Sequence, residues 1–287
     1  MVTNILRFST STFVKTSSTA TQTQTIVGWA VDDGGAGRGL RWTSSGVDDL
    51  TDLIGLSNFA IGGISSDGST LLGGHRSTER GFAWSEQSGV QYLTAPSPLT
   101  SSPCRPHAAS ADGSVIVGEI FNVGSFRWTA STGVVRLEGP AKYGSAVATD
   151  VSEDGSIVVG RESAGSTSSP WIWDSTHGMR DLKQVLIDDY GLGASLAGWT
   201  FSGINVSISA DGKTIVGRGV NSRGIEAFVA YLGSPVPEPS TPVLFAIGFG
   251  WLARLSVRAP AAPKSGRRGI MTSGARLSRN CPNVAHI

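Results

Sequence analysis

Four aspartates recur at one place in the sequence and are its most regular ionisable residues. Each stands in the pattern Ser-x-Asp-Gly, at Asp67–Gly68, Asp112–Gly113, Asp154–Gly155 and Asp211–Gly212. Four repeated carboxylates are compatible with a calcium or catalytic ring and with a set of hairpin turns. Asp beside Gly is a preferred hairpin pair, because Gly adopts a positive φ without steric cost. The helical calcium loop and the nonapeptide calcium repeat are both missing, so we predict structural turns and no metal site.

The histidines and cysteines form no recognisable catalytic or metal motif. The sequence contains neither His-x-x-x-His nor Cys-x-x-Cys, so zinc is not predicted, and no cofactor is expected. Cys104 and His107 lie close together in a stretch that also contains Pro103 and Pro106. A nucleophile–base pair is one interpretation, and a surface loop with incidental residues is the favoured one. We predict no catalytic residue and an unpaired Cys104.

Tryptophans fall into two groups. Four of them occupy equivalent positions in successive segments, namely Trp42, Trp84, Trp128 and Trp173. This equivalence favours packing between repeated units. Trp29 and Trp199 stand outside that pattern, and we expect them to be exposed. Their rings would then be available to stack on a ligand such as a sugar.

These residues are carried by an internal repeat. Its copies end in a glycine after a β-branched run, at Thr25–Gly28, Thr70–Gly73, Val115–Gly118, Ile157–Gly160 and Thr214–Gly217. An aromatic strand follows each glycine, and a Gly turn with a last short strand follows in the first four copies. This is the layout of a four-stranded propeller blade. We predict an all-β, β-propeller-like fold of about five four-stranded blades over residues 24–232. A β-solenoid or a pair of sandwiches is the alternative.

The ends of the repeat and one insertion add two expectations. The first copy lacks a clear first strand and the fifth a clear last one, which predicts ring closure by strands from both termini in one blade. Before the fifth copy, apolar residues between Asp181 and Tyr190 follow a helical spacing. They predict a short amphipathic helix that ends at Gly191.

Taken together, Ser-x-Asp-Gly, the β-branched run ending in glycine, Phe-x-Trp and a Gly turn resemble the bacterial extracellular HAF repeat. The layout is also similar to that of WD-repeat blades. The resemblance covers residues 24–232. It implies an envelope or extracellular location, and it implies no established reaction or ligand.

A different kind of segment follows the repeats. Residues 233–240 form a linker that contains the motif Val236, Pro237, Glu238, Pro239 and Ser240. Proline fixes φ and disfavours helix in the residue before it, so the linker is expected to be extended and exposed. Residues 241–257 are an apolar run at the short end of the roughly 17–25 residues that span a membrane, with Arg254 and Arg258 as its basic flank.

This order of Pro-Glu-Pro, apolar run and basic end resembles the PEP-CTERM signal, which exosortase-type machinery reads at the bacterial envelope. The resemblance implies transient contact with an exosortase-type enzyme and with the inner membrane through a single helix over 241–257. Residues 258–287 are then a basic, disordered tail. The alternative is a buried strand or helix followed by a disordered tail.

Charge divides the chain at the same place. Residues 1–239 contain all 22 acidic residues and 16 of the 23 Lys and Arg, whereas residues 240–287 contain 7 basic residues and no acid. Basic residues beside an apolar span stay in the cytoplasm, which places the repeats outside it. The acidic repeat region also lacks the clustered Lys and Arg that nucleic acid requires, so no such partner is predicted. Residues 1–23 have no apolar run of about seven or more, and no signal peptide is predicted there.

Three hypotheses for the function follow. The favoured one is an exported, non-catalytic repeat protein of the envelope or extracellular matrix that binds an envelope polysaccharide or a surface protein. The second is a carbohydrate-binding propeller, which requires aromatic residues on one face of the ring. The third is a propeller hydrolase, which requires carboxylates or a metal cluster that converge in a central channel.

Overall fold

The computed structural model describes residues 14–20, 25–32, 34–139, 146–162, 168–233 and 285–286, with only the backbone described for 14–20, 203–205 and 285–286. The chain divides into two compact units. The first spans Met1–Leu232 with Val284–Ile287 and contains all the strands and helices given below. The second spans Gly233–Asn283, and it lies outside the described residues except for Gly233.

In the described part of the chain, twenty strands form five four-stranded sheets. The first sheet contains β1 Val14–Ala20, β2 Thr25–Val31, β3 Gly37–Thr43 and β4 Gly46–Asp49. The second contains β5 Phe59–Ile64, β6 Thr70–His75, β7 Gly81–Ser85 and β8 Gly89–Tyr92. The third contains β9 Cys104–Ala109, β10 Ile116–Ile120, β11 Gly124–Thr129 and β12 Gly133–Arg136. The fourth contains β13 Val147–Val151, β14 Ile157–Arg161, β15 Pro170–Asp174 and β16 Gly178–Asp181. The fifth contains β17 Thr200–Ile208, β18 Thr214–Asn221, β19 Gly224–Tyr231 and β20 Ala285–His286.

Strands within each sheet follow one another in chain order, so each repeat copy is one sheet. All neighbouring strands are antiparallel except the short β20, which pairs in parallel with β19. The first strands β1, β5, β9, β13 and β17 lie side by side, each against the next. This is how propeller blades are arranged, and the prediction of an all-β, propeller-like fold with five four-stranded units is confirmed.

The two end sheets differ from the prediction that strands from both termini close one blade. The first sheet takes its own first strand from Val14–Ala20, which the sequence leaves within residues 1–23. The fifth sheet takes its fourth strand from Ala285–His286, near the other end of the chain. Each terminal segment therefore completes a separate sheet.

The glycine that ends each β-branched run lies opposite a large side chain on the third strand. The five cross-strand pairs are Gly28–Leu40, Gly73–Phe82, Gly118–Phe126, Gly160–Trp171 and Gly217–Phe228. All five large partners are 0% exposed. A Cβ on Gly73 would lie 2.5 Å from Phe82 Cζ, and one on Gly217 would lie 2.6 Å from Phe228 Cζ. At Gly73 and Gly217 glycine is needed because the ring opposite occupies the space that a side chain would fill.

In the second, third and fourth sheets, the first strand has a β-bulge next to the residue that pairs with the repeat glycine. Pairing shifts register between Ile61 and Gly63, between Pro106 and Ala108, and between Ala148 and Asp150. The extra residue, such as His107 in the third sheet, has no partner in the ladder. Bulges bend a strand and redirect a side chain, and these lie on the strands nearest the centre of the arrangement.

Two short helices each follow the last strand of a sheet. α1 (Leu50–Ile54) starts at the N-cap Asp49, and α2 (Leu182–Asp188) starts at Asp181, whose side chain accepts a hydrogen bond from Gln184 N at 3.0 Å. The helix predicted between 181 and 190 is confirmed, with Leu182, Val185 and Leu186 buried, but it ends at Asp188 with Asp189 as its C-cap, before the predicted end at Gly191. α1 was not predicted, because five residues are too few to show a helical period. Neither helix in the described part of the chain is long and apolar enough to cross a membrane.

Four buried clusters fill the spaces between successive sheets. The representative contacts are Val27 with Leu71, Leu72 with Ile116, Val117 with Val158, and Val159 with Ile215. The predicted packing of the repeated tryptophans between sheets is confirmed for Trp84, which is 5% exposed, and for Trp128 and Trp173, which pack against the clusters, but not for Trp42. Trp42, Trp128 and Trp173 are partly exposed. The large residues opposite the repeat glycines are the ones that are fully buried.

Candidate functional site

The Ser-x-Asp-Gly segments are hairpin turns with a shared hydrogen-bond pattern. In the fourth sheet, Ser152 Oγ donates to Asp154 Oδ1 at 2.6 Å and accepts from Ile157 N at 3.0 Å. The same carboxylate oxygen accepts from Ser156 N at 3.0 Å, and Gly155 has a φ of 70°. The turns at Asp67, Asp112 and Asp211 repeat these bonds. Each aspartate is thus used by its own turn.

These hydrogen bonds keep the turn carboxylates ionised. The Ser152 hydroxyl, followed by the N–H of Ser156, holds the pKa of Asp154 below its usual range. At Asp112 the N–H of Ser114 is the main cause of the same lowering of the pKa. No group of three or more His, Cys, Asp or Glu that would hold a metal ion occurs among the described residues.

The turns also join one sheet to the next. Asp67 N donates to Ala111 O at 3.0 Å, Ala111 N to Glu153 O at 2.8 Å, and Glu153 N to Ala210 O at 2.9 Å. The turn glycines lie close to the preceding sheet, and a Cβ on Gly155 would lie 2.5 Å from Val115 Cγ2. The second to fifth sheets are therefore joined by backbone hydrogen bonds at their turn ends.

A groove of about 940 Å³ opens at this end of the sheets, and we call it the turn groove. Its lining includes Trp84, Trp128, Arg41 and Arg127 from the strands. The turn aspartates Asp67, Asp112 and Asp154 line it as well, along with Gln87, Gln91 and Thr129. Aromatic surface beside amide and hydroxyl groups is suited to a polar ligand that also has an apolar face.

Arg127 is the groove residue with unused hydrogen-bonding capacity. Its Nε is buried and has no hydrogen-bond partner among the described residues. Arg41, by contrast, donates through Nε to Asp48 Oδ2 at 3.1 Å, and its Nη1 lies 3.8 Å from Glu86 Oε1. A buried unpaired donor is costly, and the same side chain belongs to a residue that lines the turn groove.

A second cavity, of about 470 Å³, lies among the first strands, and its lining includes His107, Thr149, Asp150 and Ser207. Asp150 accepts from Ile208 N at 3.0 Å and from Val151 N at 2.9 Å. Burial raises the pKa of Asp150, although these donors oppose the shift. Burial likewise lowers the pKa of His107, against the effect of Glu119. No sequence motif marks Asp150, because this cavity forms only when the strands assemble.

Cys104 and His107 do not form a nucleophile–base pair. Cys104 is 1% exposed within the cluster that contains Phe126, and burial raises the pKa of its thiol to about 11. His107 is at a bulge and lines the cavity among the first strands. The loop favoured for this stretch is also corrected, because residues Cys104–Ala109 are strand β9.

The two tryptophans outside the repeat differ in exposure. Trp199 is only 7% exposed and packs edge-on against Phe201 at 6.3 Å, so its predicted exposure is wrong. It packs in the cluster between the fourth and fifth sheets. Trp29 is partly exposed and lines a cavity of about 340 Å³. The Arg76 guanidinium lies 5.1 Å from the centre of its ring, so one side of the ring already has a contact.

The sorting motif cannot be placed in this site. Its residues Val236, Pro237, Glu238, Pro239 and Ser240 lie outside the described residues, as do Arg254 and Arg258. The apolar segment 241–257 and all of the tail except 285–286 lie outside them as well.

Comparison with known proteins gives only distant matches. No protein-family model matches the chain, and no curated protein matches it. Solved structures with some similarity include TolB from Acinetobacter baumannii, at 15% identity, with 77% of this chain and 52% of that chain covered and a TM-score of 0.48. Virginiamycin B lyase from Staphylococcus aureus shares 12% identity over 80% of this chain and 76% of that chain, with a TM-score of 0.45. An oligogalacturonate lyase in complex with manganese shares 11% identity over 78% of this chain and 66% of that chain, with a TM-score of 0.49.

The chain spans about half the length of the TolB structure. These similarities assign neither an activity nor a ligand to this protein. The fold described above rests on the sheets themselves, and the function is argued from the residues of this chain.

Proposed function

We propose that this protein is an exported repeat protein of the bacterial envelope or extracellular matrix, sorted through a PEP-CTERM-type signal. The main support for this proposal is that three different segments follow the repeats in a fixed order. These are the motif Val236–Ser240, the apolar run 241–257 and a basic end. An exosortase-type enzyme and the membrane are its transient partners in this proposal.

The charge distribution supports this orientation. All 22 acidic residues precede residue 240, and the 7 basic residues of 240–287 are accompanied by no acid. A segment with that bias at an apolar run remains on the cytoplasmic side, while the acidic repeats are moved across. A repeat region with excess acid also has little attraction for nucleic acid.

We further propose that the repeat region acts by binding rather than by catalysis. The turn aspartates accept hydrogen bonds within their own turns, and the Cys104 thiol is buried with a raised pKa. The carboxyl group of Asp150 accepts two backbone N–H groups. These groups have structural partners, which favours a surface binding or structural module over a hydrolase.

The sorting proposal is tested by changing the Pro-Glu-Pro triplet. Alanine at Pro237, Glu238 and Pro239 is expected to leave the chain at full length in the membrane fraction, whereas the unchanged protein is shortened and leaves the cytoplasm. The measurement is fractionation of the native host with intact-mass analysis. Alanine at Pro260 and Pro263, behind the apolar run, is the matched control and should be processed normally. Normal processing of the triple variant would contradict the proposal.

Carbohydrate is the second candidate ligand class, and the turn groove is the observation that favours it. Trp128 is partly exposed and lies beside Arg127, whose buried Nε is unpaired among the described residues. Sugars present an apolar face to aromatic rings and hydroxyl oxygens to arginine. An envelope polysaccharide would use both of these groups at once.

Replacing Trp128 with alanine is expected to weaken binding of host envelope polysaccharide about 30-fold, a loss of about 2 kcal/mol. Isothermal titration of the full-length protein with the purified polysaccharide measures this change. Trp173→Ala is the control, since Trp173 is the equivalent strand residue of the fourth sheet and is outside the groove. Equal losses in both variants would assign the effect to folding, and no loss in either would remove the groove from the proposal.

A further inference from the structure

The fifth sheet exposes an apolar face that the other four sheets bury. Val216 lies directly before Gly217, the glycine that ends its repeat copy, and is 42% exposed. Its counterparts in the other sheets are at most 1% exposed, and they are Val27, Leu72, Val117 and Val159. The difference arises because each of those residues is covered by the next sheet, whereas no sheet among the described residues follows the fifth.

The exposed face extends over two strands. Val220 on β18 pairs with Ile225 on β19, and these residues are 46% and 68% exposed. Tyr231, farther along β19, is 40% exposed. We call these four residues, Val216, Val220, Ile225 and Tyr231, the fifth-sheet face. Four large apolar side chains at this exposure on one sheet form the kind of patch that marks an interaction surface.

Arg218 lies on the same face, and its position is compatible with a packed interface. Along a strand it falls between Val216 and Val220, which point to the same side. The equivalent residue of the fourth sheet is Arg161, and that sheet is covered by the fifth. The packing of the fourth sheet against the fifth therefore tolerates an arginine at this position.

The opposite face of the first sheet is more open than its counterparts in the other sheets. Ile26 pairs with Trp42 across β2 and β3, and both are partly exposed. The residues equivalent to Ile26 are at most 1% exposed, and they are Leu71, Ile116, Val158 and Ile215. We call Ile26 and Trp42 the first-sheet face.

The four internal interfaces show what each face is made to contact. In every one of them, a residue equivalent to Val216 packs with a residue equivalent to Ile26, as Val159 does with Ile215. In the described part of the chain, one face of each type is therefore packed against no other sheet. Among the described residues, β17 makes no contact with β1 comparable to those between the other first strands.

We propose that the fifth-sheet face binds the first-sheet face of a second copy of this chain. The contact continues the sheet-on-sheet packing of the repeats from one molecule to the next. Because the two faces differ, the contact is head-to-tail, and it generates either a ring of chains or a filament. This inference does not depend on export or on a carbohydrate ligand, and it describes how a structural protein assembles.

Disulfide trapping between two variants tests the direction of the contact. Full-length Val216→Cys and Ile26→Cys chains, each with Cys281→Ser, are purified separately in mild detergent and oxidised alone or after mixing. The buried Cys104 is retained. We expect a linked two-chain product only in the mixture. A product from Val216→Cys alone would show a symmetric contact and overturn the proposal, as would the lack of any product.

A chain with both cysteine substitutions distinguishes association from ring closure within one molecule. We expect linked species of increasing length whose amount rises with protein concentration. A single-chain disulfide that forms at every concentration would show that the first and fifth sheets close on each other, and it would overturn the proposal.

Mass measurement in solution tests the apolar contact without cysteines. Val216→Glu is expected to raise the dissociation constant for self-association at least about tenfold, because a carboxylate would be buried against Ile26. Val135→Glu is the matched control, since Val135 is 47% exposed on β12 of the third sheet. Light scattering should show unchanged association for the control. Equal weakening by both variants, or association that neither changes, would contradict the head-to-tail contact.

Discussion

Replacing Gly118 with alanine is expected to lower the free energy of unfolding by about 3 kcal/mol or more, while Gly62→Ala changes it by less than about 1 kcal/mol. A Cβ on Gly118 would collide with the carbonyl oxygen of Arg105 and would lie 2.9 Å from Pro106 Cα. Both obstacles are backbone atoms, so no side-chain rotation relieves the overlap. The third sheet would have to lose its bulge or its pairing between β9 and β10.

Gly62 is the matched control because it is also a strand glycine beside a bulge. A Cβ there would meet no atom within 4 Å. Denaturant unfolding followed by tryptophan fluorescence measures both variants. Similar losses would show that the cost comes from placing alanine in a strand, and would refute the close approach at Gly118.

Replacing Trp171 with alanine is expected to lower the free energy of unfolding by about 3–5 kcal/mol. The ring is 0% exposed and lies in the cluster between the third and fourth sheets, opposite Gly160. Its removal would leave a cavity where two sheets meet and would weaken their contact. Thermal unfolding should show the loss as a lower midpoint.

Trp171→Phe is the control, because it keeps a buried aromatic ring and removes the indole N–H. Its loss of unfolding free energy is expected to stay below about 1.5 kcal/mol. Phenylalanine already occupies this position in other sheets, at Phe82, Phe126 and Phe228. The indole Nε1 of Trp171 is buried without a hydrogen-bond partner among the described residues, so phenylalanine removes an unsatisfied donor. A loss with phenylalanine as large as the loss with alanine would contradict this interpretation.

Local signals predicted most of the sheets correctly. The Asp-Gly pair before four of the five β-branched runs marks a hairpin whose turn glycine needs a positive φ, as at Gly155 with 70°. Helix α2 was visible because Leu182, Val185 and Leu186 share one side of a helical turn. Both features depend on residues close together in the chain.

Strand β9 was missed for a physical reason. Pro106 interrupts its pattern, and the bulge at His107 breaks the alternation of buried and exposed residues. Proline is tolerated in this first strand because one of its edges has no strand hydrogen-bonded to it. A sequence pattern of period two does not detect such a strand.

The candidate site depends on contacts between neighbouring sheets, so the sequence did not predict it. The turn groove combines Trp84 of the second sheet with Arg127 of the third, and the unpaired Nε of Arg127 appears only after packing. Trp199 was expected to be exposed because it lies outside the repeat, but the contact with Phe201 buries it. Val216 is 42% exposed although its sequence neighbours resemble those of the buried Val159, because exposure depends on whether another sheet covers the residue.

Fractionation of the native host with an antibody against residues 24–232, followed by intact-mass analysis, is the most direct test of the proposed function. We expect the protein to be recovered outside the cytoplasm with a mass that lacks everything beyond the Pro-Glu-Pro region. A soluble cytoplasmic product with the mass of the full 287-residue chain would contradict it.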